Sequence, residues 1–78
     1  MNKARRKEIE KIVSELETLR DRLEEVKDEE YEAFENMPES LQSSERGEQN
    51  EQNANDLENA WDALDSVITD LQDILDNN

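Results

Sequence analysis

The sequence predicts an all-α fold: an antiparallel two-helix hairpin of coiled-coil type that pairs with a second copy as a four-helix bundle. Two periodic stretches carry the prediction. Ile9, Ile12, Leu16, Leu19, Leu23 and Val26 recur at steps of three and four, and this is the seam of a packed helix. Leu57, Ala60, Trp61, Leu64, Val67, Ile68, Leu71, Ile74 and Leu75 form a wider apolar face with the same helical period. Between them stands the only proline, Pro38, so one chain reversal separates two helices.

The first helix is expected from Lys3 to Asn36. Its seam continues through Glu30, Ala33 and Met37, with Tyr31 and Phe34 beside it. Met37 precedes Pro38, and a residue before proline is pushed out of the helical region. A connector over 37–43 follows. Ser43 or Ser44, with Glu45 and Glu48 after it, reads as an N-cap with acidic first-turn residues, so the second helix is expected over 44–76 despite Gly47. The Asn- and Gln-rich run from Glu48 to Asn55 is helical but weakly so. A start at Asn53 would leave a loop longer than compact domains usually hold.

A turn centred near Ser40 pairs positions whose numbers sum to about 80, as expected for an antiparallel hairpin. Leu57 then meets Leu23, Trp61 meets Leu19, Leu64 meets Leu16, Ile68 meets Ile12 and Leu71 meets Ile9. Asn50 falls opposite Glu30 as a polar layer that fixes register, and Gly47 falls opposite Ala33 and Phe34. Helix one opens on Lys3, Arg5, Arg6, Lys7 and Lys11, and helix two closes on Asp70, Asp73 and Asp76. Each cluster opposes its own helix dipole, and antiparallel packing brings them together so that their attraction offsets both terms. One seam buries little, so two hairpins are expected to associate, with Ala60, Ala63, Val67 and Ile74 as the second contact.

Composition narrows the chemistry. Hydrophobic residues make up 32% of the chain against 41% charged, so order depends on the periodicity rather than on apolar content. Seventy-eight residues suffice for one domain. With no cysteine and no histidine, disulfides, thiolate or imidazole zinc sites and Ser-His or Cys-His catalysis are excluded, and a reducing cytoplasm is the natural compartment. No apolar run has the length of a membrane span, and the basic start is followed by amphipathic sequence, unlike a signal peptide. Paired catalytic carboxylates need a shaped, partly desolvated pocket, which two thin helices do not offer, so no enzyme is expected. Neither Asp28, Glu29, Glu30 and Glu32 nor Asp70, Asp73 and Asp76 match an EF-hand loop. No metal or cofactor is expected.

A net charge of -14 repels nucleic acid and anionic membrane and attracts a basic protein surface. From Gly47 to Asn78 there is no Lys or Arg. Glu51, Glu58, Asp62, Asp65, Asp73 and Asp76 point away from the expected seam and are the candidate partner-binding carboxylates. Tyr31 and Phe34, near the connector, are candidate docking aromatics, with packing against Met37 and Leu41 as the plainer reading. Trp61 is read as seam rather than contact surface. Fourteen charges on a rod of about 48 Å fall about one per 3.4 Å, comparable with the phosphates of one DNA strand.

The connector Glu32-Ala33-Phe34-Glu35-Asn36-Met37-Pro38-Glu39-Ser40-Leu41-Gln42, running into Ser44-Glu45-Arg46-Gly47-Glu48, resembles a pattern in small acidic helical hypothetical proteins of phages and Gram-positive bacteria. The resemblance extends over nearly the whole chain and implies a phage or mobile-element origin and, with it, a host cytoplasm. It implies no site residues. Small acidic phage proteins often inhibit host enzymes or defence nucleases, so by analogy the expected function is inhibition of a nucleic-acid-binding host or defence protein by a DNA-like negative surface. The alternative is a structural or assembly coiled coil that uses its apolar seam.

Overall fold

The computed structural model describes residues 1–78. It contains helix α1 over Lys3–Glu35, a single helical turn α2 over Glu39–Gln42, and helix α3 over Glu45–Asp76. There is no strand. α1 and α3 pack along their length and α2 packs on α3, giving a rod of 58 × 15 × 13 Å.

Each boundary has a local cause. Asn2 caps α1, its side chain accepting from the Arg5 amide at 2.8 Å. The helix ends one residue before Asn36, and Pro38 in extended backbone starts α2. The expected irregular connector therefore contains a turn of helix, which is stabilised by the Leu41 and Gln42 amides donating to the Pro38 carbonyl. Gln42 then reaches back. Its Nε2 lies 3.3–3.4 Å from the carbonyl oxygens of Phe34 and Glu35, at the open end of α1, and of Met37 just beyond it. Ser44 caps α3 by accepting from the Gly47 amide at 3.3 Å, with Glu45 and Glu48 in the first turn.

Gly47 is buried for a reason other than the expected pairing with Ala33 and Phe34. A Cβ there would collide with the carbonyl oxygens of Leu41 and Gln42 and stand 2.6 Å from the Gln42 carbonyl carbon. The missing side chain lets the connector backbone lie directly on the first turn of α3.

The helices run in opposite directions, as the cross-links show. The Met1 amino group donates to Asn78 Oδ1 at 3.2 Å, Arg6 Nη1 to the Leu75 carbonyl at 2.8 Å, and Arg20 Nη1 to Asp65 Oδ1 at 2.8 Å. Arg6 thus supplies a cation to the C-terminal end of α3, whose last turn has no basic residue of its own. The expected attraction of the two end clusters takes this form; no ion pair joins α1 to Asp70, Asp73 or Asp76.

The rotation of α1 differs from the expected seam. Only Val13, Gly47, Ala54 and Ile68 are fully buried. On α1 the residues turned toward α3 are Ile9, Val13, Leu16, Arg20, Leu23, Lys27, Glu30 and Phe34, whereas Ile12, Leu19 and Val26 are 39%, 47% and 50% exposed. Ile12 and Leu19 therefore do not pair with Ile68 and Trp61. Two helices share a contact only one seam wide, so of three apolar columns only two can be covered. The interactions that hold this rotation are polar. Arg20 and Lys27 lie over the Trp61 ring at 5.9 and 5.5 Å from its centroid, and Arg20 also binds Asp65. Their aliphatic stems do the covering that leucines would otherwise do. The expected polar layer is not closed, because no hydrogen bond joins Glu30 to Asn50, although both are half-buried.

Candidate functional site

The observed rotation divides the rod into two unlike flanks. With heptad letters, Val13, Arg20, Lys27 and Phe34 of α1 and Gly47, Ala54, Trp61, Ile68 and Leu75 of α3 are a. Ile9, Leu16, Leu23 and Glu30, with Asn50, Leu57, Leu64 and Leu71, are d. In an antiparallel pair the g columns of both helices border one side of the seam and the e columns the other. Two depressions across the seam agree with this. One is lined by Lys27, Tyr31, Ala54 and Glu58, and the other by Ala33, Met37, Leu41, Arg46 and Asn50.

The g flank reads Arg5, Ile12, Leu19, Val26 and Ala33 on α1, and Arg46, Asn53, Ala60, Val67 and Ile74 on α3. It holds no carboxylate, in a chain with 23 of them. Val67 and Ile74 are 47% and 42% exposed, which continues the open column of Ile12, Leu19 and Val26. The e flank reads Lys3, Glu10, Glu17, Glu24 and Tyr31 on α1, and Glu51, Glu58, Asp65 and Gln72 on α3, so six of nine positions are acidic. The aliphatic columns and the most acidic columns thus border opposite sides of the seam, with Glu8, Glu15, Glu29, Asp56 and Asp70 at the outer margin of the aliphatic ones.

Of the residues singled out in the sequence, Glu51, Glu58, Asp65 and Tyr31 stand on the e flank, Asp62 and Asp76 border it, and Asp73 lies on the outer face of α3. Glu51, Glu58, Asp62, Asp73 and Asp76 are exposed. Asp65 is half-buried and committed to Arg20 at 2.8 Å, so it is a structural carboxylate first. Tyr31 is 51% exposed and shares a depression with Glu58, while Phe34 turns into the seam. The two aromatics therefore do not form one patch. No group of three carboxylates is placed to hold a metal ion, and no helix is long and apolar enough to cross a membrane.

Sequence reasoning missed the Arg20, Lys27 and Trp61 cluster and the open column Ile12, Leu19 and Val26. A signal existed for both: Val13, Arg20, Lys27 and Phe34 recur every seven residues and provide a second solution for the α1 seam. Charged residues in that column argued against it, but a cation with a long stem can face an indole. The Trp61 Nε1 and Arg20 Nε groups are buried without a hydrogen-bond partner, so the cluster is held by stacking, by the Arg20 hydrogen bond to Asp65 at 2.8 Å, and by looser ion pairs of Arg20 with Asp21 and Lys27 with Asp28.

No protein-family model matches the chain, and neither a curated protein nor a solved structure is significantly similar to it.

Proposed function

We propose that the chain is a non-enzymatic protein-binding module whose acidic flank occupies a basic surface that otherwise holds nucleic acid. The observation that supports this is the separation of flanks. Along a 58 Å rod, carboxylates take six of the nine e positions and none of the ten g positions. The fourteen net charges of the whole chain over 58 Å come to about one per 4 Å, near the phosphate repeat of about 3.4 Å along one DNA strand, and six of the carboxylates behind that density stand in the e columns. The likeness of the connector to acidic phage proteins supplies the target class, a host or defence protein that binds nucleic acid in the host cytoplasm.

A second reading, a structural or assembly coiled coil of a phage or bacterium, draws on the opposite flank. Its exposed aliphatic column supports association of two hairpins into a four-helix bundle. In both readings that association leaves the acidic flank outward.

The test is capture from nuclease-treated host lysate at low salt, followed by challenge of each captured protein. Under the mimicry reading the captured protein is one that binds DNA. Duplex DNA displaces it, retention falls steeply between about 50 and about 200 mM salt, and Glu58→Lys with Asp62→Lys abolishes capture. The pair Glu58 and Asp62 is preferred to any pair with Asp65, whose reversal would break the contact to Arg20. Retention indifferent to DNA, salt and charge reversal rejects mimicry and favours assembly.

A further inference from the structure

We infer that a second copy of this chain covers the apolar flank, lying end for end on the first, α1 against α1, with Leu19 beside the two-fold axis. The inference rests on the reading that hairpins associate, and it adds the face, the polarity and the register.

The face follows from composition and size. Ile12, Leu19, Val26, Val67 and Ile74 form the exposed columns, Ala33 and Ala60 keep them low, and no carboxylate interrupts either column. α3 carries apolar residues at a, d and g, and α1 carries them at d and g with the stems of Arg20 and Lys27 completing its a column, the pattern of a bundle helix with neighbours on two sides rather than one. A side of 58 by 15 Å offers on the order of 850 Å² per copy, the contribution of one partner to a standard stable interface. Four fully buried residues in 78 leave that much burial still to be made.

The polarity follows from the charge along the rod. Residues 28–48, at the connector end, hold eight carboxylates against the single Arg46. At the opposite end, Lys3, Arg5, Arg6, Lys7 and Lys11 balance Glu8, Glu10, Asp70, Asp73 and Asp76. Two copies running the same way would set two acidic ends side by side. End-for-end docking separates them by most of the 58 Å length, several screening lengths at physiological salt, and sets the basic start of each α1 against the acidic finish of the other.

The register follows from symmetry within the columns. Leu19 is the middle residue of Lys3–Glu35, and Ala60 lies at the middle of Glu45–Asp76. A two-fold axis through that level lays Leu19 on the second copy's Leu19, Ile12 on the second copy's Val26, and Ala60 on the second copy's Ala60. Ile74 meets the aliphatic stem of the second copy's Arg46. Val67 over Asn53 is the one poor match.

Sedimentation equilibrium and cysteine cross-linking test this, and the native chain contains no thiol to interfere. The expected result is a dimer at physiological salt, converted to a helical monomer by Leu19→Lys. With a short bis-maleimide, Leu19→Cys cross-links to itself. An equimolar mixture of Ile12→Cys and Val26→Cys gives a mixed dimer that neither gives alone, and Glu24→Cys gives none. A monomer at all accessible concentrations overturns the association itself. A dimer in which Leu19→Cys links to Ala60→Cys, while Ile12→Cys and Val26→Cys do not link, overturns the end-for-end polarity. A dimer in which Glu24→Cys links to itself overturns the face.

Discussion

Trp61 lies between two cations, and this arrangement sets the rotation of one helix against the other. Arg20 carries two tasks at once, lying over the indole and binding Asp65, and its side chain is only 22% exposed. A double-mutant cycle on Arg20→Ala and Asp65→Ala should give a coupling of about 0.5–1 kcal/mol, near the upper range of partly exposed pairs. Urea unfolding of the four proteins measures it, and a coupling indistinguishable from zero means that stacking on Trp61 and the neighbouring Asp21 hold Arg20 without help from Asp65. Gly47 is a second decisive residue. Alanine ordinarily gains about 1 kcal/mol over glycine inside a helix, but here the added methyl meets the backbone of Leu41 and Gln42. Overpacking of this kind costs about 1–3 kcal/mol. Gly47→Ala should therefore lower stability, whereas Gln52→Ala, on the exposed face of the same helix, should leave it level or raise it. Equal shifts for the two would mean that the connector moves aside without cost.

At the scale of elements, a side-chain cap fixes where each long helix begins, Asn2 for α1 and Ser44 for α3. Ser44→Ala should cost about 1 kcal/mol and increase amide exchange in the first turn of α3 with little change beyond Asn55. Protection unchanged in residues 45–50 would assign the start of that helix to Gly47 and the connector instead. α1 lacks an acidic residue in its first turn, so Lys3→Glu should stabilise it by about 0.3–1 kcal/mol at low salt, read as a rise in urea midpoint. Both long helices, the end of the first before Pro38 and a serine cap at position 43 or 44 were legible in the sequence, because a 3–4 period, a proline and serines followed by glutamates act locally; the structure selects Ser44. The rotation of α1 was not legible. Column d faces α3 in either rotation, and whether the aliphatic g column or the a column of Val13, Arg20, Lys27 and Phe34 joins it depends on what α3 presents across the seam, which a one-helix pattern does not contain. The same limit applies to the candidate carboxylates: Asp65 resembles Asp62 in sequence, and only the position of Arg20 separates a structural role from an exposed one. The turn α2 was hidden because four residues are too few to show a period.

For the molecule as a whole, a thin seam is set against strong self-repulsion. With only four residues fully buried and a net charge of -14, stability should rise with sodium chloride up to about 0.15 M, where screening shortens the reach of charge to about 8 Å. A melting temperature that falls with salt would mean that the ion pairs Arg6–Glu10 and Arg20–Asp65 outweigh the repulsion. The rod also carries its own optical gauge. Its single indole sits where the two long helices meet, so emission from that one fluorophore should report their parting, shifting to the red as water reaches the ring, while fraying at either extremity should leave the spectrum unchanged.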